Sequence, residues 1–147
     1  QEGNPKAFPF TKPKVDGLNF SFSGLKTQIL YFVQKNVALN PNFIEENKAD
    51  ICASIQYTII NILMDKLKLA VAETGINQIA IGGGVSANSG IRTTLKEAEQ
   101  KYGWKTYIPK FEYTTDNAAM IGIVGYYNFL EENFSENDVV TKARIEF

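Results

Sequence analysis

Three short stretches of this 147-residue chain carry residue types able to do chemistry. The first is Gly82-Gly83-Gly84-Val85-Ser86-Ala87-Asn88-Ser89, set between a short apolar run and a helical pattern. Glycines remove the Cβ atoms that hold a flat or charged ligand away from the backbone, and the first amides of a helix offer unpaired donors at the positive end of its dipole. A nucleotide suits that geometry. The stretch lacks the third glycine of the dinucleotide fingerprint and the Gly-Lys-Ser/Thr of a phosphate loop, so a tight strand-to-helix turn is the competing account of Gly83 and Gly84. Asn88 offers donor and acceptor to a ribose or base edge, or else caps its own helix.

The second stretch is Thr114-Thr115-Asp116-Asn117-Ala118-Ala119-Met120. A Thr cap followed by Asp116 at the first helical position is common helix chemistry, stabilised by about 0.3–1 kcal/mol at the dipole's positive end. Behind it Ala118, Gly122 and Gly125 recur at helical spacing, and each glycine costs about 1 kcal/mol of helix propensity relative to alanine. That stripe implies a backbone pressed against this face. The third stretch, Phe20-Ser21-Phe22-Ser23-Gly24-Leu25-Lys26-Thr27, reads either as a phosphate-binding turn with Lys26 or, more plainly, as Ser23 capping a helix beside a solvated lysine.

The residues that are missing narrow the chemistry further. With no histidine there is no Ser-His-Asp triad, no Cys-His pair and no HExxH zinc site in this chain. The single cysteine, Cys52, excludes an internal disulfide and, lying in the run Ile51-Cys52-Ala53, is expected in the core. Fifteen Lys and Arg against sixteen Asp and Glu leave a net charge of −1, without the basic bias of a module that holds nucleic acid by charge alone. With no run of about 18 uncharged apolar residues and no secretion signal, a cytoplasmic location is expected. The opening Gln1 suggests a chain cut from something longer.

The elements that position these stretches follow from periodicity. Residues 1–18, with Pro5, Pro9 and Pro13, read as an extended arm or interdomain segment whose Phe8 and Phe10 are docking points, and 19–147 as one domain. Asn19-Phe20-Ser21-Phe22-Ser23 alternates as a short strand does. A helix with Leu25, Ile29, Phe32 and Val33 fades by Pro41. A long helix then runs to Thr74 before Gly75, with Asp50, Ser54, Thr58, Asn61, Asp65 and Lys68 as a polar stripe. The run Gln78-Ile79-Ala80-Ile81 is a buried strand, 86–102 a helix closed by Gly103, 104–108 a strand, and 115–132 a last helix. The aromatics Tyr31, Phe32, Tyr126, Tyr127 and Phe129 are most simply core. The fold class is α/β, a mixed sheet flanked by helices.

Taken together, the segments 20–27, 82–88 and 115–120 resemble, in order and spacing, the TsaD/Kae/Gcp family, formerly called O-sialoglycoprotein endopeptidases or glycoproteases, and only its C-terminal part. The resemblance implies an actin-like ATPase (ASKHA, ribonuclease H-like) domain of a two-domain protein. It implies transfer of a threonylcarbamoyl group from threonylcarbamoyl-AMP to N6 of adenosine 37 in tRNA. Gly83, Gly84 and Asn88 then look like nucleotide contacts, with ATP or threonylcarbamoyl-AMP as ligand. Asp116 looks like a ligand of one divalent metal, iron in the first instance, with zinc or magnesium as alternatives. The family's His-x-x-x-His metal pair has no counterpart here, so the metal site and the cleft are incomplete and the isolated chain is expected to be inactive. Implied partners are tRNA, a TsaB-like paralogue, a TsaE-like ATPase subunit and the N-terminal domain of the same protein. The alternatives are a non-catalytic nucleotide-binding or partner-binding module and, among enzymes, an actin-fold sugar or acetate kinase. Endopeptidase activity has no dyad or zinc signature to support it.

Overall fold

The computed structural model describes residues 2–136, 138 and 140. Four helices and two strands follow in the order α1 (Ser23–Leu39), α2 (Phe43–Thr74), β1 (Gln78–Ala80), α3 (Ser89–Tyr102), β2 (Lys105–Tyr107) and α4 (Ala118–Leu130). The result is a helix-rich α/β arrangement around a two-stranded parallel sheet. Among the described residues no helix is long and apolar enough to cross a membrane.

Two of the helices end where the backbone demands glycine. Gly75 closes α2 at φ 71° and Gly103 closes α3 at φ 68°, left-handed conformations that a Cβ disfavours. The strands pair Gln78 with Lys105, Ile79 with Thr106 and Ala80 with Tyr107, and α3 is the crossover that a parallel pair requires. Buried Met64, Ile79, Leu95, Ala98 and Trp104 join α2, β1, α3 and the start of β2 in one core, with Ile60, Leu67 and Val71 of α2 packed against it. The sheet is therefore fixed to α2 through α3.

The opening segment lies along α2. Asn4 donates its amide to Asp50 Oδ1 at 2.7 Å, Phe8 donates to Ser54 Oγ at 3.1 Å, and Lys66 Nζ donates to the Val15 carbonyl at 2.7 Å. Phe8 and Phe10 close onto Phe32 with ring centroids 5.1 and 5.3 Å apart, so both aromatics dock as expected. Asp50 and Ser54 of the polar stripe on α2 thus bind backbone of the opening segment: Ser54 is fully buried while accepting one bond and donating another to the Asn4 carbonyl.

Several expectations fail. Residues 19–22 form no strand; α1 begins at Ser23 after Phe22, with no side-chain cap from Ser23. A strand needs a neighbour, and among the described residues β1 and β2 pair only with each other. The alternation instead stacks Phe20 on Phe22, 6.3 Å apart and nearly coplanar at 7°. Cys52 is exposed, because successive helical residues turn by about 100° and Ile51 and Ala53 take the buried faces on either side of it. The last helix starts at Ala118, after cap residue Asn117, and none of its residues is buried. Tyr126, Tyr127 and Phe129 are accordingly exposed, as is Tyr31 on α1, and a Cβ added at Gly122 or Gly125 meets nothing within 4 Å. The backbone expected against that face is not found among the described residues.

Candidate functional site

Parallel pairing decides where the chemistry-bearing loops emerge. The chain leaves β1 at Ile81 into the glycine turn and leaves β2 at Ile108 into the loop leading to Asp116, so both start from the same, C-terminal end of the sheet. Open α/β sheets bind ligands at that end of their strands.

The glycine turn is held from inside. Gly83 adopts φ 74° and ψ 174°, a region essentially reserved for glycine. A 3-10 turn follows over Gly84–Ala87, fixed by the Ser86 amide and hydroxyl, which both donate to the Gly83 carbonyl at 3.0 and 2.7 Å. A Cβ built on Gly82, Gly83 or Gly84 meets no atom within 4 Å, so the space over all three is open. Gly84, whose φ is ordinary, has no packing reason within the described structure to lack a side chain. Beside the turn an apolar hollow of about 290 Å³ is walled by Phe20, Met64, Gly82, Val85, Ser86 and Ile91.

Asn88 caps α3: its Oδ1 accepts the Ile91 amide at 3.1 Å, and its Nδ2 donates to Gln56 Oε1 on α2 at 3.3 Å. The side chain is oriented by these bonds, with one amide proton and one lone pair left over. Gly90 lets α3 come this close to α2, since a Cβ there would stand 2.6 Å from Gln56 Nε2. Lys26 stays exposed on α1, away from any ion pair among the described residues.

Asp116 is exposed in the link between a 3-10 turn, Phe111–Tyr113, and α4. It precedes the cap residue, where the sequence had suggested the first helical position. Asn117 takes the capping role, accepting the Met120 amide at 3.2 Å, and buried Thr114 is pinned by its hydroxyl to the Phe111 carbonyl at 2.7 Å.

Arg92 was not singled out by its sequence. From the first turns of α3 its Nε donates to the Ser86 carbonyl and its Nη2 to the Pro109 carbonyl, both at 2.7 Å. Its guanidinium carbon lies 4.2 Å from the Phe111 ring centroid. One side chain thereby touches the glycine turn and the loop toward Asp116. The only available signal is a cation at the end of a helix where the dipole disfavours it.

The site's parts define an α/β protein with an open glycine turn and an acidic loop at the same end of a parallel strand pair. The family model for TsaD, tRNA N6-adenosine threonylcarbamoyltransferase, matches residues 1–123, and the chain belongs to this family. A tRNA N6-adenosine threonylcarbamoyltransferase of Christiangramia forsetii is 67% identical over the whole chain, which covers 43% of that relative. Relatives of the same name from Cytophaga hutchinsonii (51% identical, 99% of this chain, 42% of theirs) and Porphyromonas gingivalis (53%, 98% and 42%) align similarly. The chain therefore spans less than half the length of these relatives and corresponds to their C-terminal part.

Proposed function

We propose that the chain is the C-terminal portion of a tRNA threonylcarbamoyltransferase of actin-like fold, and that the C-terminal end of the β1–β2 pair is its share of the catalytic cleft. The observation that carries this reading is the common origin of the glycine turn and the Asp116 loop at one sheet edge, spanned by Arg92. The open backbone at Gly83 and Gly84 receives the ribose and phosphate of ATP or threonylcarbamoyl-AMP, and the adjacent apolar hollow suits the base. The adenosine amine of tRNA attacks the carbamoyl carbon, the bond from that carbon to the phosphate oxygen breaks, AMP leaves, and the amine loses a proton. Asn88, pre-oriented by its cap, directs its remaining donor and acceptor to the nucleotide.

Asp116 contributes one carboxylate toward a divalent metal, iron by family resemblance. Among the described residues no group of three or more His, Cys, Asp or Glu stands together, and the chain has no histidine, so the donors present do not close a metal site. The remaining ligands and the other cleft wall belong to the N-terminal portion of the protein, and the fully unburied, apolar α4 supports docking of such a body. A TsaB-like paralogue, a TsaE-like ATPase and tRNA complete the cytoplasmic system, and the isolated segment is inactive. A partner-binding module is the second reading, favoured by the use of Asn88 in capping.

Asp116→Ala in the full-length protein tests the assignment. Loss of tRNA threonylcarbamoylation with an unchanged circular dichroism spectrum is expected; near-normal turnover in a metal-supplied reconstituted assay refutes it.

A further inference from the structure

We propose that Arg92 is a positioning residue that holds the glycine turn and the Asp116 loop in register at the sheet edge, an inference that rests on the transferase reading above. Its two acceptors are backbone carbonyls, Ser86 six residues before it and Pro109 seventeen after, each 2.7 Å away. Each acceptor lies on a segment that follows a different strand of the parallel pair. No other side-chain hydrogen bond among the described residues joins these two segments.

Three features argue that the clamp is more than helix surface. A cation near the N-terminus of a helix is disfavoured by the dipole, so dipole complementarity does not account for Arg92 in α3. Among the described residues it has no carboxylate partner, so its place is set by the two carbonyls and the Phe111 face. The guanidinium is also a planar fork, which fixes two acceptors relative to each other in a way that the point charge of lysine does not. Phe111 opens the 3-10 turn from which buried Thr114, and then Asp116, follow. Loss of the fork therefore frees the Asp116 loop relative to the glycine turn while leaving the Met64, Ile79 and Leu95 core untouched. Misplacement of reacting groups by about 1 Å costs on the order of a hundredfold in rate.

The test uses the full-length protein with Cys52 and every cysteine outside this segment replaced by serine, and with spin labels at Val85→Cys and Tyr113→Cys, both exposed positions. The label-to-label distance distribution is expected to be narrow with Arg92 and broad in Arg92→Met. In unlabelled protein, kcat for threonylcarbamoyl transfer falls about ten- to a hundredfold, with a smaller change in KM for threonylcarbamoyl-AMP and a near-parental melting midpoint. Arg92→Lys, which keeps stem and charge, stands in should the Met variant fail to fold, and is expected to recover only part of the turnover. An unchanged distance distribution or an unchanged kcat overturns the clamp. A parental protein that does not modify tRNA when threonylcarbamoyl-AMP, a divalent metal and the TsaB-like and TsaE-like partners are supplied overturns the transferase reading instead, and the distance measurement still decides the role of Arg92.

Discussion

Glu99 closes the outer edge of β2 by accepting both the amide of Thr106, at 3.0 Å, and its hydroxyl. The paired Thr106 donors, with Lys96 beside them, hold the Glu99 carboxyl at about 2, down from the ordinary 4.5. A carboxylate whose folded pKa is depressed contributes its full stability above the unfolded value and loses it as pH falls toward the folded one. The urea midpoint of the chain should therefore decline between about pH 4.5 and about pH 2, and Glu99→Gln should flatten that decline. Identical pH slopes in the two proteins count against the edge role.

Gly83 and Gly84 should separate folding from binding. Alanine at Gly83 is strained by its positive φ and should lower stability by roughly 1–3 kcal/mol. Alanine at Gly84 meets open space and should fold with near-parental stability, while its methyl obstructs a nucleotide lying on the backbone. Urea denaturation and calorimetric titration of the full-length protein with ATP check both. Parental ATP affinity in Gly84→Ala removes that residue from the site.

For Asn88→Ala two losses are expected together. Removing the cap on the Ile91 amide should cost about 1 kcal/mol of stability, and the adenylate should bind more weakly. Lower stability with undiminished nucleotide affinity by calorimetry leaves Asn88 as a cap alone.

Exposed Ile121 and Phe129 make α4 adhesive when this segment is produced on its own. Replacing both with lysine should reduce self-association in light scattering. Equal scattering before and after would show that other surfaces drive it.

Local chemistry was legible where a residue decides its own neighbourhood. Gly75 and Gly103 announce their helix ends because only glycine sits easily at positive φ. The apolar run at 78–81 and the strand before Pro109 are likewise readable. What stayed hidden depends on partners distant in sequence. The alternation at 19–23 matches a strand, but pairing is supplied by neighbours and not by pattern. Thr115 and Asn117 are both good caps, and periodicity alone does not choose between them. Arg92 was invisible for a simpler reason: its acceptors are carbonyls, which every residue carries, so no side-chain type at positions 86 or 109 advertises the bond.

The absence of any buried residue in α4 has a further consequence. Thirteen residues of helix are marginal in water when no tertiary contact supports them, and two of these are glycines. The carboxylate just upstream is anchored firmly on one flank only, so its final placement waits on whatever body comes to cover the helix. On the proposed function, covering this helix and fixing the acid for chemistry would be coupled steps of one equilibrium.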